Sequence, residues 1–151
     1  MAAHVRIDDL HVGWKRTWRR IITQADMEAM IRLSGDQGGY HVDESFARRV
    51  GFRTVITPGL LQASMVTKLG GDINFLAREV TFSYLKPVYV GDELEVVWEV
   101  LEVEREKNRI RVRSTVTNQA GEQVLDCHGF GYMPRPEWGQ PIKPPLAGGP
   151  P

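Results

Sequence analysis

The stretch "VITPGLLQASMVTKLGG", residues 55–71, restricts the fold more than any other part of the chain. Thr57 is placed to cap a helix, Pro58 suits the first helical position, and Gly70-Gly71 marks an end. Between them Leu60, Leu61, Ala63, Met65, Val66 and Leu69 point around the helix instead of forming one stripe. A helix that is apolar all round has to be buried. What buries it follows directly in the sequence. Strands are expected near residues 75–85, 92–106, 109–119 and 122–133, all rich in β-branched and aromatic residues. One apolar helix and a run of antiparallel strands have an economical joint solution. It is an α+β domain whose antiparallel sheet wraps around a central buried helix.

The middle strands carry their own register. A two-residue turn at Lys107-Asn108 sets Glu106 opposite Arg109, Glu104 opposite Arg111 and Glu102 opposite Arg113. Leu94, Val96, Trp98 and Val100 alternate in the wrong phase for Leu101 and Val103, so a bulge is expected near Val100–Leu101.

The first half reads as helical. Thr23 followed by Asp26 has capping-box spacing, and Ile22 and Met27 are placed for a hydrophobic staple; Gly35 ends that helix. A second short helix has Asp43 as its cap, Phe46, Ala47 and Val50 as its apolar face, and Gly51 after its end. A chain of 151 residues makes one domain, expected over 1–133. The tail, 134–151, holds seven of the nine prolines and reads as a Pro/Gly-rich arm, laid on a neighbouring subunit through Trp138.

Zero formal net charge gives no general attraction to nucleic acid or anionic membrane. The N-terminal residues lack the apolar core of a signal peptide, and no apolar run is long enough for a membrane span. One cysteine, Cys127, fits a reducing compartment, so a cytoplasmic location is expected.

The candidate chemistry lies in "SGDQGGYHVD", residues 34–43. Asp36 and His41 sit five residues apart on a connection between helices. A carboxylate and an imidazole together can hold and deprotonate a water near neutral pH. The same residues are equally good turn-and-cap chemistry, and both readings stand on spacing alone. A second element is the start of the apolar helix. Pro58 has no N–H, so Gly59 is among the first free donors, and glycine permits close approach of a ligand. Such a donor can stabilise an enolate-like oxygen, unless Thr57 caps it.

In combination, "LSGDQGGYHVDESFARRVGFRTVITPGLLQASMVTKLGG" and the later "FSYLKPVYVGDEL" resemble the MaoC-like, (R)-specific enoyl-CoA hydratase family of hot-dog proteins. The family motif runs Ser-Gly-Asp, one residue, Asn-Pro, one residue, His, and later a helix opening His-Gly-x-Leu. The likeness spans residues 12–133. It implies a hot-dog fold and a homodimer or higher homo-oligomer. It also implies addition of water to a trans-2-enoyl thioester of coenzyme A or acyl carrier protein, giving the (R)-3-hydroxyacyl thioester, or the reverse. No cofactor is implied. Asp36 and His41 match the catalytic pair, and Gly59 matches the glycine whose N–H binds the thioester carbonyl. Thr67 falls where some members place a pocket serine, with helix packing as its plainer role, and Tyr40 is placed to shape the pocket beside His41. Gly38-Gly39 replaces Asn-Pro, which predicts a looser loop and a wider pocket, and Pro58 replaces the histidine before Gly59. A hot-dog thioesterase and a non-catalytic acyl-thioester binding domain are the alternatives.

Other features carry less. The Arg109, Arg111, Arg113 stripe could meet coenzyme A phosphates, but the facing glutamates favour a solvated ladder. His41 and Asp43 have no second ligand cluster, so no metal site is expected. Cys127 lacks an activating base, and His128 reads as a satisfied core or interface residue. Phe75, Phe82, Tyr84, Trp98, Phe130 and Tyr132 are expected mostly in the core. No glycine-rich nucleotide loop follows a strand, which leaves a nicotinamide or ATP site without support.

Overall fold

The computed structural model describes residues 5–135. The tail expected as an arm, with Trp138, lies outside them apart from Pro134 and Arg135. Five antiparallel strands form one sheet in the order β1-β3-β4-β5-β2: β1 (Lys15–Ile21), β2 (Leu76–Tyr84), β3 (Glu93–Glu104), β4 (Arg109–Thr117) and β5 (Gln123–Tyr132). Four helices precede β2: α1 (Gln24–Ser34), α2 (Gly39–Val42), α3 (Glu44–Arg49) and α4 (Gly59–Gly71).

Helix α1 starts as its sequence dictates. The Thr23 side chain accepts from the Asp26 N–H, and the Asp26 side chain accepts from the Thr23 N–H. Ile22 and Met27 flank this cap, each 1% exposed. Gly35 ends the helix in the left-handed region at φ 72°. Asp43 caps α3 by accepting from Phe46 N–H. Ala47 is buried, but Val50 is exposed, so the apolar face of α3 is narrower than expected.

Helix α4 packs on the inner face of the sheet through Leu61, Ala63, Met65, Val66 and Leu69. The facing strand residues Leu94, Val96, Trp98, Val100, Ile110 and Val112 are all buried. Trp98 is edge-to-face with Trp14 at 6.1 Å and with Phe75 at 5.6 Å, which fixes its ring in the core. The helix is not covered all round within one chain. Leu60, Ser64, Thr67 and Lys68 form an exposed stripe at helical spacing.

Two expectations are corrected. The first half is not wholly helical, because β1 lies before α1. This strand is an edge paired only to β3, and its sequence Lys-Arg-Thr-Trp-Arg-Arg-Ile shows no apolar alternation. It is placed by Lys15 on Glu99 (3.5 Å), Arg19 on Glu95 (2.5 Å), and the Trp18 Nε1–H donated to the Met65 carbonyl (3.0 Å). The β3–β4 turn is not two residues long. A 3₁₀ turn at Arg105–Lys107 and left-handed Asn108 close it, so Glu104 pairs with Arg109 and Glu102 with Arg111. The expected bulge is present, with the register shifting between Val100 and Glu102. Glu102 and Arg111 stand 3.2 Å apart, a solvated cross-strand pair.

The aromatic expectation holds for Trp98 and fails for Phe130 and Tyr84. Phe130 lies partly exposed between the Arg109 and Arg111 guanidinium groups, and Tyr84 is 48% exposed. His128 is satisfied but not buried, 3.2 Å from Asp126 on the solvent side.

Candidate active site

The connection from α1 to α4 carries His41 into the structure on α2, a one-turn helix absent from the sequence reading. His41 N–H donates to the Gly38 carbonyl (2.8 Å), and the Tyr40 carbonyl accepts from Ile56 N–H (2.9 Å). These bonds lay the loop along the segment entering α4. The His41 ring is nearly enclosed, its side chain 12% exposed. Its Nδ1 lies 2.8 Å from the Ile56 carbonyl oxygen. A carbonyl can only accept, so Nδ1 carries the proton and Nε2 keeps a lone pair when the ring is neutral. Nε2 faces Asp36 Oδ2 at 3.5 Å, and the other carboxylate oxygen accepts from Gly38 N–H at 3.0 Å. Half of the Asp36 side chain stays exposed, so a water can approach the carboxylate from the solvent side, while the 3.5 Å separation leaves no room for one directly between the two groups.

A Cβ at Gly39 would stand 2.9 Å from the Phe46 ring carbons, so glycine there is what allows α2 to pack on α3.

His41 borders two hollows. The larger, about 700 Å³, runs along α1 beside Met27 and Ile31 and does not reach α4. The other, about 430 Å³, brings His41 together with Gly59, Thr57, Gln62 and Tyr84. Of the two, the second joins the imidazole to the start of the buried helix; Asp36 lines neither.

Helix α4 begins at Gly59 with Pro58 in the cap position and no side-chain cap. Thr57, expected to cap, does not. Its N–H donates to the Val88 carbonyl (2.8 Å), and its hydroxyl is buried without a partner among the described residues. The Gly59 N–H likewise has no backbone partner among the described residues. A Cβ on Gly59 would stand 2.8 Å from the Tyr84 ring, so the aromatic edge lies against the bare backbone. Burial raises the Tyr84 phenol above its ordinary range, with the neighbouring Cys127 adding to the effect.

The remaining sequence candidates lie elsewhere. The Tyr40 ring packs edge-to-face on Phe46 (5.0 Å) and Phe52 (6.0 Å) and is not part of the cleft lining. Thr67 donates to the Ser64 carbonyl (2.6 Å) and borders a separate groove between α1 and α4. Cys127 is 2% exposed, and burial with the Asp126 charge pushes its thiol up to about 11, which keeps it protonated and inert. Gln62 was missed, although a lone amide inside an apolar helix was a visible signal. The Ile56 carbonyl was missed because a backbone group leaves no mark in sequence.

Among the described residues no helix is long and apolar enough to cross a membrane. The family described as "MaoC like domain" matches residues 13–122. The chain is similar to a 3-hydroxybutyryl-CoA dehydratase of Methylorubrum extorquens, 31% identical over 147 residues, covering 94% of this chain and 92% of the relative. It is also similar to an (R)-specific enoyl-CoA hydratase of Aeromonas caviae, 29% identical over 131 residues, covering 83% of this chain and 96% of that one. Among solved structures, the unliganded R-hydratase PhaJ1 of Pseudomonas aeruginosa superposes with a TM-score of 0.79 at 29% identity, covering 87% of each chain. The match to the family runs from just before β1 to the last residue before β5, taking in β1 to β4 and all four helices and well over half of the chain, and this chain belongs to the MaoC-like domain family of hot-dog fold.

Proposed function

We propose that the protein is a lyase that adds water across the double bond of a trans-2-enoyl thioester, giving the (R)-3-hydroxyacyl thioester, and that it catalyses the reverse dehydration. The observation that carries this reading is the placement of His41. Its Nδ1 is tied to Ile56, its Nε2 faces Asp36, and its ring shares a cleft with the uncapped Gly59 N–H.

The roles follow from that placement. Water lies beside the pair, within reach of both Asp36 and His41 Nε2, with Asp36 accepting one of its hydrogens. As the water oxygen bonds to C3, Nε2 takes a proton and the C2=C3 electron pair moves toward the thioester oxygen. Gly59 N–H holds that oxygen as it becomes enolate-like, aided by the positive end of α4. The enolate then collapses and C2 takes the proton from His41, so that H and OH have been added and the imidazole is neutral again. Coenzyme A or acyl carrier protein carries the acyl group.

The working form is a homodimer or a larger homo-oligomer built from it. Supporting this, β2 is an edge strand that exposes Leu76, Val80 and Tyr84, and the cleft opens beside that edge through Tyr84 and Leu85. Residues 1–133 form the catalytic domain, 134–151 an appended arm, and the reduced buried Cys127 suits the cytoplasm.

The test is purified protein with a short trans-2-enoyl-CoA. Loss of conjugated-thioester absorbance, together with an (R)-configured product, is the expected result. Release of free thiol from a saturated acyl-CoA would instead establish a thioesterase. Ligand-dependent thermal stabilisation without turnover would leave only a binding domain.

A further inference from the structure

The polar side chains lining the cleft beside His41 are His41 itself, Thr57, Gln62, Tyr84 and Lys86. Most of them are already committed. His41 is the proton carrier of the proposed reaction. Thr57 and Gln62 are 4% and 3% exposed, and their oxygens Oγ1 and Oε1 are sealed from the cleft. The Lys86 ammonium is paired with Glu122. Tyr84 is the exception. Its side chain is half exposed, and its hydroxyl has no hydrogen-bond partner among the described residues.

The phenol stands where a donor has a use. Tyr84 is the last residue of β2, and its ring stacks on that of Phe82, two residues earlier on the same face of the strand, with centroids 6.5 Å apart and planes 23° apart. The ring edge lies over the first residue of α4. A Cβ built on Gly59 would stand 2.8 Å from Tyr84 Cε1 and 3.0 Å from Cζ. The hydroxyl is one bond from Cζ, and the Gly59 nitrogen is two bonds from that Cβ position, so the O–H and the N–H border one small space. The helix itself adds little there. Leu61 N–H donates to the Pro58 carbonyl (2.9 Å), and Leu60 does not border the cleft.

Resting on the hydratase reading, we propose that Tyr84 is a further catalytic residue of this site, its hydroxyl donating a second hydrogen bond, beside that from Gly59 N–H, to the thioester oxygen as it becomes enolate-like. One N–H meets one lone pair of that oxygen, and the growing charge leaves another to be met. The half-exposed ring turns aside as the thioester enters and settles against it. No proton changes hands in this contact. A phenol keeps its proton near neutral pH, and the proton that reaches C2 still comes from His41. The charge being met exists only once the water oxygen has begun to bond to C3, so the hydroxyl acts on kcat more than on binding.

The test is Tyr84→Phe, which removes the oxygen and keeps the ring and its stack on Phe82. Wild type and variant are compared for kcat and KM on but-2-enoyl-CoA and oct-2-enoyl-CoA, for calorimetric affinity toward saturated butyryl-CoA, and for melting temperature. The variant is expected to lose about tenfold or more in kcat, with KM and butyryl-CoA affinity changed by about twofold at most and the melting temperature kept. A variant kcat within about twofold of wild type overturns the role. So does a fall in kcat matched by an equal fall in butyryl-CoA affinity or accompanied by a lower melting temperature, which would make the phenol a binding or packing group only. If the wild type hydrates either enoyl-CoA and the variant does so equally well, the role of Tyr84 alone falls; if the wild type hydrates neither, the hydratase reading falls with it.

Discussion

His41 Nδ1 lies 2.8 Å from the carbonyl oxygen of Ile56, fifteen residues along the chain. One hydrogen bond thereby joins the α2 turn to the segment that enters α4. It fixes the imidazole tautomer, turns Nε2 toward Asp36, and sets both at a constant distance from the helix start. Replacing His41 with Gln, or Asp36 with Asn, is expected to lower kcat on an enoyl-CoA about a hundredfold or more while leaving the fold intact, the usual scale for losing a general acid–base. Rates within a few-fold of wild type would remove both residues from the mechanism.

Gly59 is the second test of the site. In Gly59→Ala the added Cβ stands 2.8 Å from the Tyr84 ring and projects where a thioester must approach the N–H. Tyr84 is half exposed and its ring can swing aside, so the stability loss is expected to be about 1–3 kcal/mol. The drop in kcat/KM is expected to exceed what that loss explains, by about tenfold. Equal rates for variant and wild type would mean the carbonyl is held elsewhere.

Trp98 anchors the sheet to the helix and its flanking aromatics. It is 1% exposed and contacts Trp14 and Phe75 edge-on. Trp98→Ala leaves a large cavity at the centre of β3 and is expected to cost about 3–5 kcal/mol, read from denaturant midpoints at constant m-value.

Acid stability should track Asp126. The hydrogen bond from Arg113 holds its carboxyl below the usual carboxylate range; burial opposes the shift, and His128 adds to it. A carboxylate whose folded pKa is depressed contributes stability above its unfolded value, near about 3.9, and loses it as the pH falls through the folded value. The stability gap between wild type and Asp126→Asn is therefore expected to be full at pH 7 and to shrink steadily below about pH 4. A gap unchanged down to about pH 2 would show that ionisation of Asp126 is not what stabilises this pair.

Much of the fold was legible because its signals are local. The Thr23–Asp26 capping box, the glycine stop at Gly35, the extents of β2 to β5 and the bulge after Val100 each depend on residues close in sequence. So did the pairing of Asp36 with His41, which lie on one short connection. What the tertiary structure decided involves groups far apart in the chain. Strand β1 exists because Lys15, Arg19 and Trp18 find Glu99, Glu95 and the Met65 carbonyl, partners no local pattern announces. Thr57 looks like a cap in sequence, yet its N–H donates to the Val88 carbonyl and its hydroxyl is buried without a partner among the described residues. The imidazole tautomer rests on a backbone oxygen, and the cleft beside it forms only where α4 meets the segment 84–88. Propensity and periodicity act between neighbours in sequence, whereas a hydrogen bond or a buried wall needs only neighbours in space. That is why the proximity of Asp36 and His41 can be read from the chain and the shape of the cleft beside them cannot.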